Sequence, residues 1–511
     1  MLDFQLTYHK VLNKHTLSGI LGYSEIHFLD NWGEGYRQNF YNNQLQALSL
    51  GADDATQSAT GGNSEWGLRS YFARVNYDYD SRYLFEANAR YDGSSRFADG
   101  YRYGFFPSFS MGWRMSSEDF WEPLKPVVNE FKLRGSWGEV GSQQVGLYSF
   151  MPTFNQMNYI FNESLVPGYR QVNLANQHIS WETTAQLNFG VDAYLFDNLL
   201  NFSFDYYKKT TRDILLLVPI PSVVGLDPTN QNAGKVENQG VEFLAQAHKT
   251  FGNVGVDLGV NLNFNRNKVL DLAGTGPHIS AFGNSDYRTI TVEGQPINAY
   301  YGFTTDGFFK NQEEVDNYAK WDGSVGPGDI KYVDQNNDGQ LTPDDFVIFG
   351  KEMPDWTFSS NMAVSWKNLR LDLFWQGVSG SEKIMTGAIM EHGIWGGFTH
   401  EIYSDYWTST NTDARYPRPT KYTMKNAQIS DFWMVNGNYL RLKNIRLSYD
   451  IPLKWIERIH VGGINVYASA TNLLTFSELN KYNIDPEMEG RGQESSFPQT
   501  SVTTFGININ F

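Results

Sequence analysis

The chain has 511 residues, a formal net charge of −16, no cysteine and 15% aromatic residues. That balance argues against a nucleic-acid partner, which needs a basic face to neutralise phosphates, and the missing thiols exclude a disulfide framework and a thiolate metal site. With 41% hydrophobic and 19% charged residues the chain is not disordered, and no apolar run of about 18 residues marks a membrane helix.

The opening MLDFQLTYHK has neither the basic stretch nor the apolar run of a leader peptide, and Leu2–Tyr8 reads as a strand. The dominant period along the chain is two. Tyr71, Ala73, Val75, Tyr77 and Tyr79 share one face, against Arg74, Asn76 and Asp78 on the other. After a tight turn at Asp80-Ser81 the pattern resumes with Tyr83, Phe85, Ala87, Ala89 and Tyr91 opposite Glu86, Asn88, Arg90 and Asp92. Phe105, Phe109, Met111 and Trp113 continue it, and Thr289–Val292 reads as a short strand within a long connection. Near Arg441 the alternation slips from Leu440 and Leu442 to Ile445, Leu447 and Tyr449, the mark of a β-bulge. Phe505, Ile507, Ile509 and Phe511 close the series.

About fifteen strands of about 9–14 residues emerge, against ~5–6 in ordinary sheets and close to the length of a tilted bilayer crossing. Their connections sort by length. Asp80-Ser81, Asp197-Asn198, Phe251–Asn253 and Lys367-Asn368 are short, and His9–Lys14, Ser116–Glu130 and Ile451–Arg458 are somewhat longer. The alternate connections are long: 29–65, 139–181, 211–236, 267–355, 379–436 and 474–500. Short periplasmic turns alternating with long extracellular loops define an all-β, antiparallel transmembrane β-barrel. An odd strand count leaves the first and last strands parallel. The expectation is therefore a C-terminal portion, residues 1–511, of a longer barrel chain whose signal peptide lies upstream.

Particular stretches resemble SusC/RagA-type TonB-dependent outer-membrane transporters. They include residues 71–121, 131–150, NAGKVENQGVEF (232–243), GQPINAYYGFTTDGFF (294–309), 328–361, YLRLKNIRLSYDIP (439–452) and the terminal TFGININF. The resemblance implies about fifteen strands of a 22-stranded barrel, the C-terminal two-thirds of such a protein, with plug domain and TonB box missing upstream. It further implies outer-membrane, Bacteroidota-like localisation, import of oligosaccharides or peptides, a SusD-like surface lipoprotein as lid, and energy from TonB–ExbB–ExbD through the plug.

Two sets of residues are candidate sites. Asp334, Asn336 and Asp338, then Gly339, the Gln340 carbonyl and Asp345, follow the spacing of an EF-hand-type loop and suit Ca²⁺. Aspartate at the twelfth position and the lack of clear flanking helices leave an Asx- and Gly-rich turn as the alternative. Trp32, Tyr36, Tyr41, Trp395, Phe398 and Trp407 fall in the expected loops, where aromatic faces stack on sugar rings or, more simply, pack loops together. Lumen residues such as Arg74, Asn88 and Arg90 would hydrogen-bond hydroxyl groups. The nine histidines form no catalytic motif, so no enzyme is expected. The rival reading is a secreted, soluble, calcium-stabilised carbohydrate-binding β-protein or glycosidase; a passive porin is a third.

Overall fold

Alternation over long stretches demands a sheet with two unlike faces, and the computed structural model contains one. It describes residues 1–44, 47–281, 288–320, 325–385, 390, 403–420, 425–456, 461–488 and 499–510. Fifteen strands hydrogen-bond in chain order into a single antiparallel sheet. They are β1 (Leu2–Leu12), β2 (His15–Tyr36), β3 (Ser58–Tyr79), β4 (Tyr83–Ser94) and β5 (Tyr103–Arg114). Next come β6 (Val128–Ser142), β7 (Glu182–Leu195), β8 (Leu200–Leu217), β9 (Asn230–Phe251) and β10 (Val254–Asp271). The last are β11 (Trp356–Trp366), β12 (Leu369–Ser379), β13 (Tyr439–Asp450), β14 (Gly463–Ser477) and β15 (Val502–Asn510).

The strand count matches the expectation; several lengths do not. β2, β3 and β9 run to 22 residues, so the expected loop 29–65 shrinks to 37–57 and the expected loop 211–236 to 218–229. Gly33, Gly35, Gly61 and Gly62 read as loop residues, yet the ladder needs only their backbone amides, and β2 pairs with β3 without a break from His15↔Tyr79 to Tyr36↔Ser58. β1 likewise continues to Leu12, leaving Asn13-Lys14 as the turn in place of His9–Lys14. At the β3–β4 turn Asp80 and Ser81 both take positive φ, the conformation that matches the twist of a tight hairpin, and the Asp78 carboxylate accepts the Ser81 N–H at 2.7 Å.

The chain divides into two compact units, residues 1–113, 134–187 and 209–235, and residues 114–133, 188–208 and 236–511. In the first, the rows Leu17–Tyr77–Phe85–Met111 and Tyr23–Tyr71–Tyr91–Phe105 lie on one face. Its large side chains stand open: Leu21 is 61% exposed, Phe105 59% and Met111 65%. In the second, Leu258, Met362, Leu373 and Ile445 make such a row, and Val256, Val364, Leu371, Leu447 and Phe505 another. The bulge falls at Lys443, where the pairing of β12 and β14 with β13 skips one residue. That is where the phase of the apolar pattern slips.

Candidate functional site

The opposite face of the same strands carries the polar set. In the first unit a cleft of about 690 Å³ opens on it, lined by Phe72, Arg74, Glu86, Asn88, Ser108 and Glu139 among others. Arg74 donates through Nε to Asn88 Oδ1 at 2.8 Å, and Asn88 donates to Glu86 at 2.8 Å. Arg90 forks onto Asp92 at 3.0 and 3.1 Å, and its guanidinium lies 5.5 Å from the Phe72 ring centre. Arg212 forks onto Glu139 at 2.9 and 3.2 Å. Phe72 lies over Gly22, where a Cβ would stand 2.0 Å from the ring, so glycine is the residue that lets the ring lie flat on the sheet. The arrangement can hydrogen-bond a polar solute from several sides and holds no nucleophile–base pair.

The long connections of the second unit fold on themselves. Phe303, Tyr332, Phe346, Tyr416, Trp433, Leu479 and Tyr482 form a buried cluster, with Trp433 and Phe303 fully enclosed. The Trp433 indole N–H donates to the Asn426 carbonyl at 2.8 Å and the Tyr332 hydroxyl to the Lys425 carbonyl at 2.7 Å. Beside it Asp329, with 3% of its side chain exposed, accepts Arg418 through both oxygens at 2.7 Å, with Asn426 and the Gly326 N–H also donating. Asp329 raises the pKa of Arg418 by bonding its charged form. Lys331 is held between Asp306 and Glu314, each at 3.0 Å. The Lys310 N–H and then Lys331 hold the Glu314 carboxyl below the usual range.

Trp407 belongs to this packing: its ring rests against Gly328, which has positive φ and where a Cβ would stand 2.3 Å from the ring. Trp32 and Tyr36 lie not in a loop but on the extended part of β2, and Tyr41 is 94% exposed beyond it. Trp395 and Phe398 lie outside the described residues. Among the described candidates, Trp32 and Tyr36 share one strand of the first unit and Trp407 packs within the second. The polar-face residues Glu86 and Asn88 on β4 and Glu139 on β6 form the better-defined cleft, and the period-two pattern marked Glu86 and Asn88 as polar-face residues.

In the 334–345 loop the oxygens face inward to the backbone. Asp334 accepts from Asp338 N at 3.3 Å and Gly339 N at 2.9 Å, and Asp338 accepts from Gln340 N at 2.8 Å. Asp345 is fully buried; one oxygen accepts Gln335 N and the other Thr342 N, each at 2.9 Å, closing a capping box. Among the described residues no three His, Asp or Glu side chains converge as a metal would require.

A sheet with one face of open apolar side chains and one of hydrogen-bonded charges is the wall of a transmembrane β-barrel. A soluble sandwich would hide the first face in a dry core, and Phe505 at 80% and Ile507 at 65% exposure are not hidden. Residues 2–473 match the family model "TonB dependent receptor-like, beta-barrel", and the chain belongs to that family. It is 30% identical over 523 residues to the TonB-dependent receptor P3 of Formosa agariphila, covering 99% of this chain and 52% of the relative. It is 27% identical to the TonB-dependent receptor SusC of Bacteroides thetaiotaomicron, over 100% and 50% of the two chains. The RagAB peptide transporter superposes with a TM-score of 0.83 at 24% identity, over 100% of this chain and 55% of that one. The chain thus spans about half the length of the curated relatives it matches, rather than the two-thirds expected. These relatives are receptors by name, and the receptors of this family reside in the outer membrane.

Proposed function

We propose that the chain forms the wall and ligand-gathering loops of an importer of oligosaccharides or peptides in the outer membrane. The observation that carries this reading is the cleft around Arg74, Glu86, Asn88 and Glu139, which sits on the polar face, the face that lines the passage through such a barrel. Loops and cleft bind the solute, and work from a TonB–ExbB–ExbD complex, delivered through a plug domain, moves it inward. A strain lacking the chain loses uptake of its glycan or peptide nutrient, and complementation restores it; unchanged uptake across both substrate classes would remove the proposal.

The partner we assign is a SusD-like surface lipoprotein. Its docking site is the hairpin of Phe154–Phe161 and Ser164–Gln171, whose pairing is closed and whose side chains are nearly all exposed. Tyr159, Ile160, Phe161, Leu165 and Tyr169 are each between 67% and 79% exposed. That much open apolar surface on a loop beyond the membrane marks a protein interface.

We keep calcium as a narrower proposal for the 334–345 loop, with Asp334, Asn336, Asp338 and the Gln340 carbonyl as its ligands. Asp345 would stay as a backbone anchor, since it is fully buried with both oxygens accepting N–H groups, whereas Asp334 is not buried. Added Ca²⁺ raises the melting temperature of the detergent-solubilised protein and a chelator lowers it; identical melts remove calcium from the account.

A further inference from the structure

The extended part of the β2–β3 hairpin carries an ordered set of side chains that the cleft does not explain. Because its 22 pairs run without a bulge, the column of Ile20 and Gly22 on the polar face continues unchanged to Phe28, Asp30, Trp32, Glu34 and Tyr36. Across the ladder these meet Trp66, Ser64, Gly62, Thr60 and Ser58 in turn. The same face of β3 leads back through Leu68 and Ser70 to Phe72 and Arg74 in the cleft. Aromatic and acidic residues therefore alternate along one line that begins outside the apolar band and ends at the cleft.

Geometry suits the rings for stacking. Phe28 and Trp66 stack at 5.7 Å and 28°, and the Arg96 guanidinium lies 5.1 Å from the Trp66 ring centre. Trp32 lies along Gly62, its Nε1 3.1 Å from where a Cβ would stand, so the missing side chain lets the indole lie down on the sheet. Phe28 is 47% exposed, Trp32 54% and Tyr36 49%. At ~3.4 Å per residue the three rings follow one another at intervals of roughly 13 Å. Between them Asp30 and Glu34 are exposed and carry no hydrogen bond or ion pair among the described residues.

We propose that Phe28, Trp32 and Tyr36, with Asp30 and Glu34 between them, form a track for neutral oligosaccharides leading to the cleft, an inference that rests on the import reading and narrows its substrate class. A sugar ring has a flat apolar side that stacks on an aromatic face and a rim of hydroxyls. Those hydroxyls would donate to Asp30 and Glu34 and exchange hydrogen bonds with Ser64, Thr60 and Ser58. Widely spaced rings on an open ridge hold a chain weakly at several points and let it advance. The two carboxylates disfavour anionic sugars. A basic peptide would use the carboxylates but leave the row of hydroxyls without a role.

The test is isothermal titration of the detergent-solubilised full-length protein with maltohexaose, cellohexaose and laminarihexaose, alongside hexagalacturonate and pentalysine. At least one neutral hexasaccharide binds, and hexagalacturonate does not. Trp32→Ala weakens that binding roughly tenfold, the scale of one ring contact, and Trp32→Phe recovers most of it. Leu29→Ala, on the opposite face of the same strand, leaves it unchanged. The proposal is overturned if no neutral hexasaccharide binds, if Trp32→Ala binds as well as the parent, or if pentalysine alone depends on Trp32. Failure of the import reading is recognised separately, as nutrient uptake that persists in cells lacking the chain.

Discussion

Asp329 has lost nearly all contact with water and accepts hydrogen bonds from one guanidinium, one amide and one backbone N–H. Replacing Arg418 by alanine leaves that carboxylate without its counter-charge, at a cost of about 3 kcal/mol. Arg418→Lys recovers part of the loss, because an ammonium cannot fork onto both oxygens. Faster proteolysis of the loops around 325–333 and 403–420, in that order of severity, is the readout. Asp431 presents the opposite case. Burial raises its pKa, against the Thr305 hydroxyl that donates to it at 2.8 Å. Its folded-state pKa lies above the unfolded one, so its contribution is fully present below the ordinary aspartate range and is lost as pH rises through the raised value. Asp431→Asn, which can still accept from Thr305, therefore raises the melting temperature at pH 7, and the gain disappears as the pH falls toward 4. A gain that grows on acidification would contradict this assignment.

At the scale of elements, the strands legible in the sequence are marked by their side chains, and the far ends of β2 and β3 lie where many side chains are small. Gly33, Gly35, Gly61 and Gly62 carry no alternating signal, yet their amides pair as well as any others, so β2 and β3 extend beyond the readable pattern. The bulge at Lys443 was legible because an extra residue moves every later side chain to the other face. The buried cluster of the long connections had no such signature. Trp433 joins Phe303 and Tyr332 from a segment more than a hundred residues further along, with no shared period. The hairpin at 154–171 was hidden for the same reason inside a stretch read as loop. Its strands pair through eight registers but bury none of their apolar side chains. Changing Tyr159, Ile160 and Phe161 together to serine should leave the fold intact, since none is buried. It should abolish co-purification of the proposed surface lipoprotein; undiminished recovery would remove the hairpin as its docking site.

For the whole molecule, what matters is which solvent each face of the sheet meets. On β3, Tyr71 and Tyr79 bracket Val75, eight residues apart, which at ~3.4 Å per residue is about 27 Å along the strand and about 20 Å once tilted by ~40°. Tyr71 meets Tyr23 at 5.2 Å, and Tyr79 meets Tyr83 at 6.3 Å, so each end of the interval is a pair of aromatic rings. Between them Val75 stands 45% exposed on the apolar face. In water such a band would drive aggregation, whereas in a bilayer it is the surface that fits. A charge placed there must leave water for hydrocarbon. Val75→Arg should lower the unfolding free energy in lipid by about 2–4 kcal/mol, the cost of arginine at a barrel's midplane. The adjacent Asn76→Arg points the same charge to the polar face and should change stability by less than about 1 kcal/mol. Urea titrations of the two variants refolded in the same vesicles separate the outcomes. Equal, small effects would mean that the tyrosine-bounded band meets water, and the membrane placement of the sheet would fall with it.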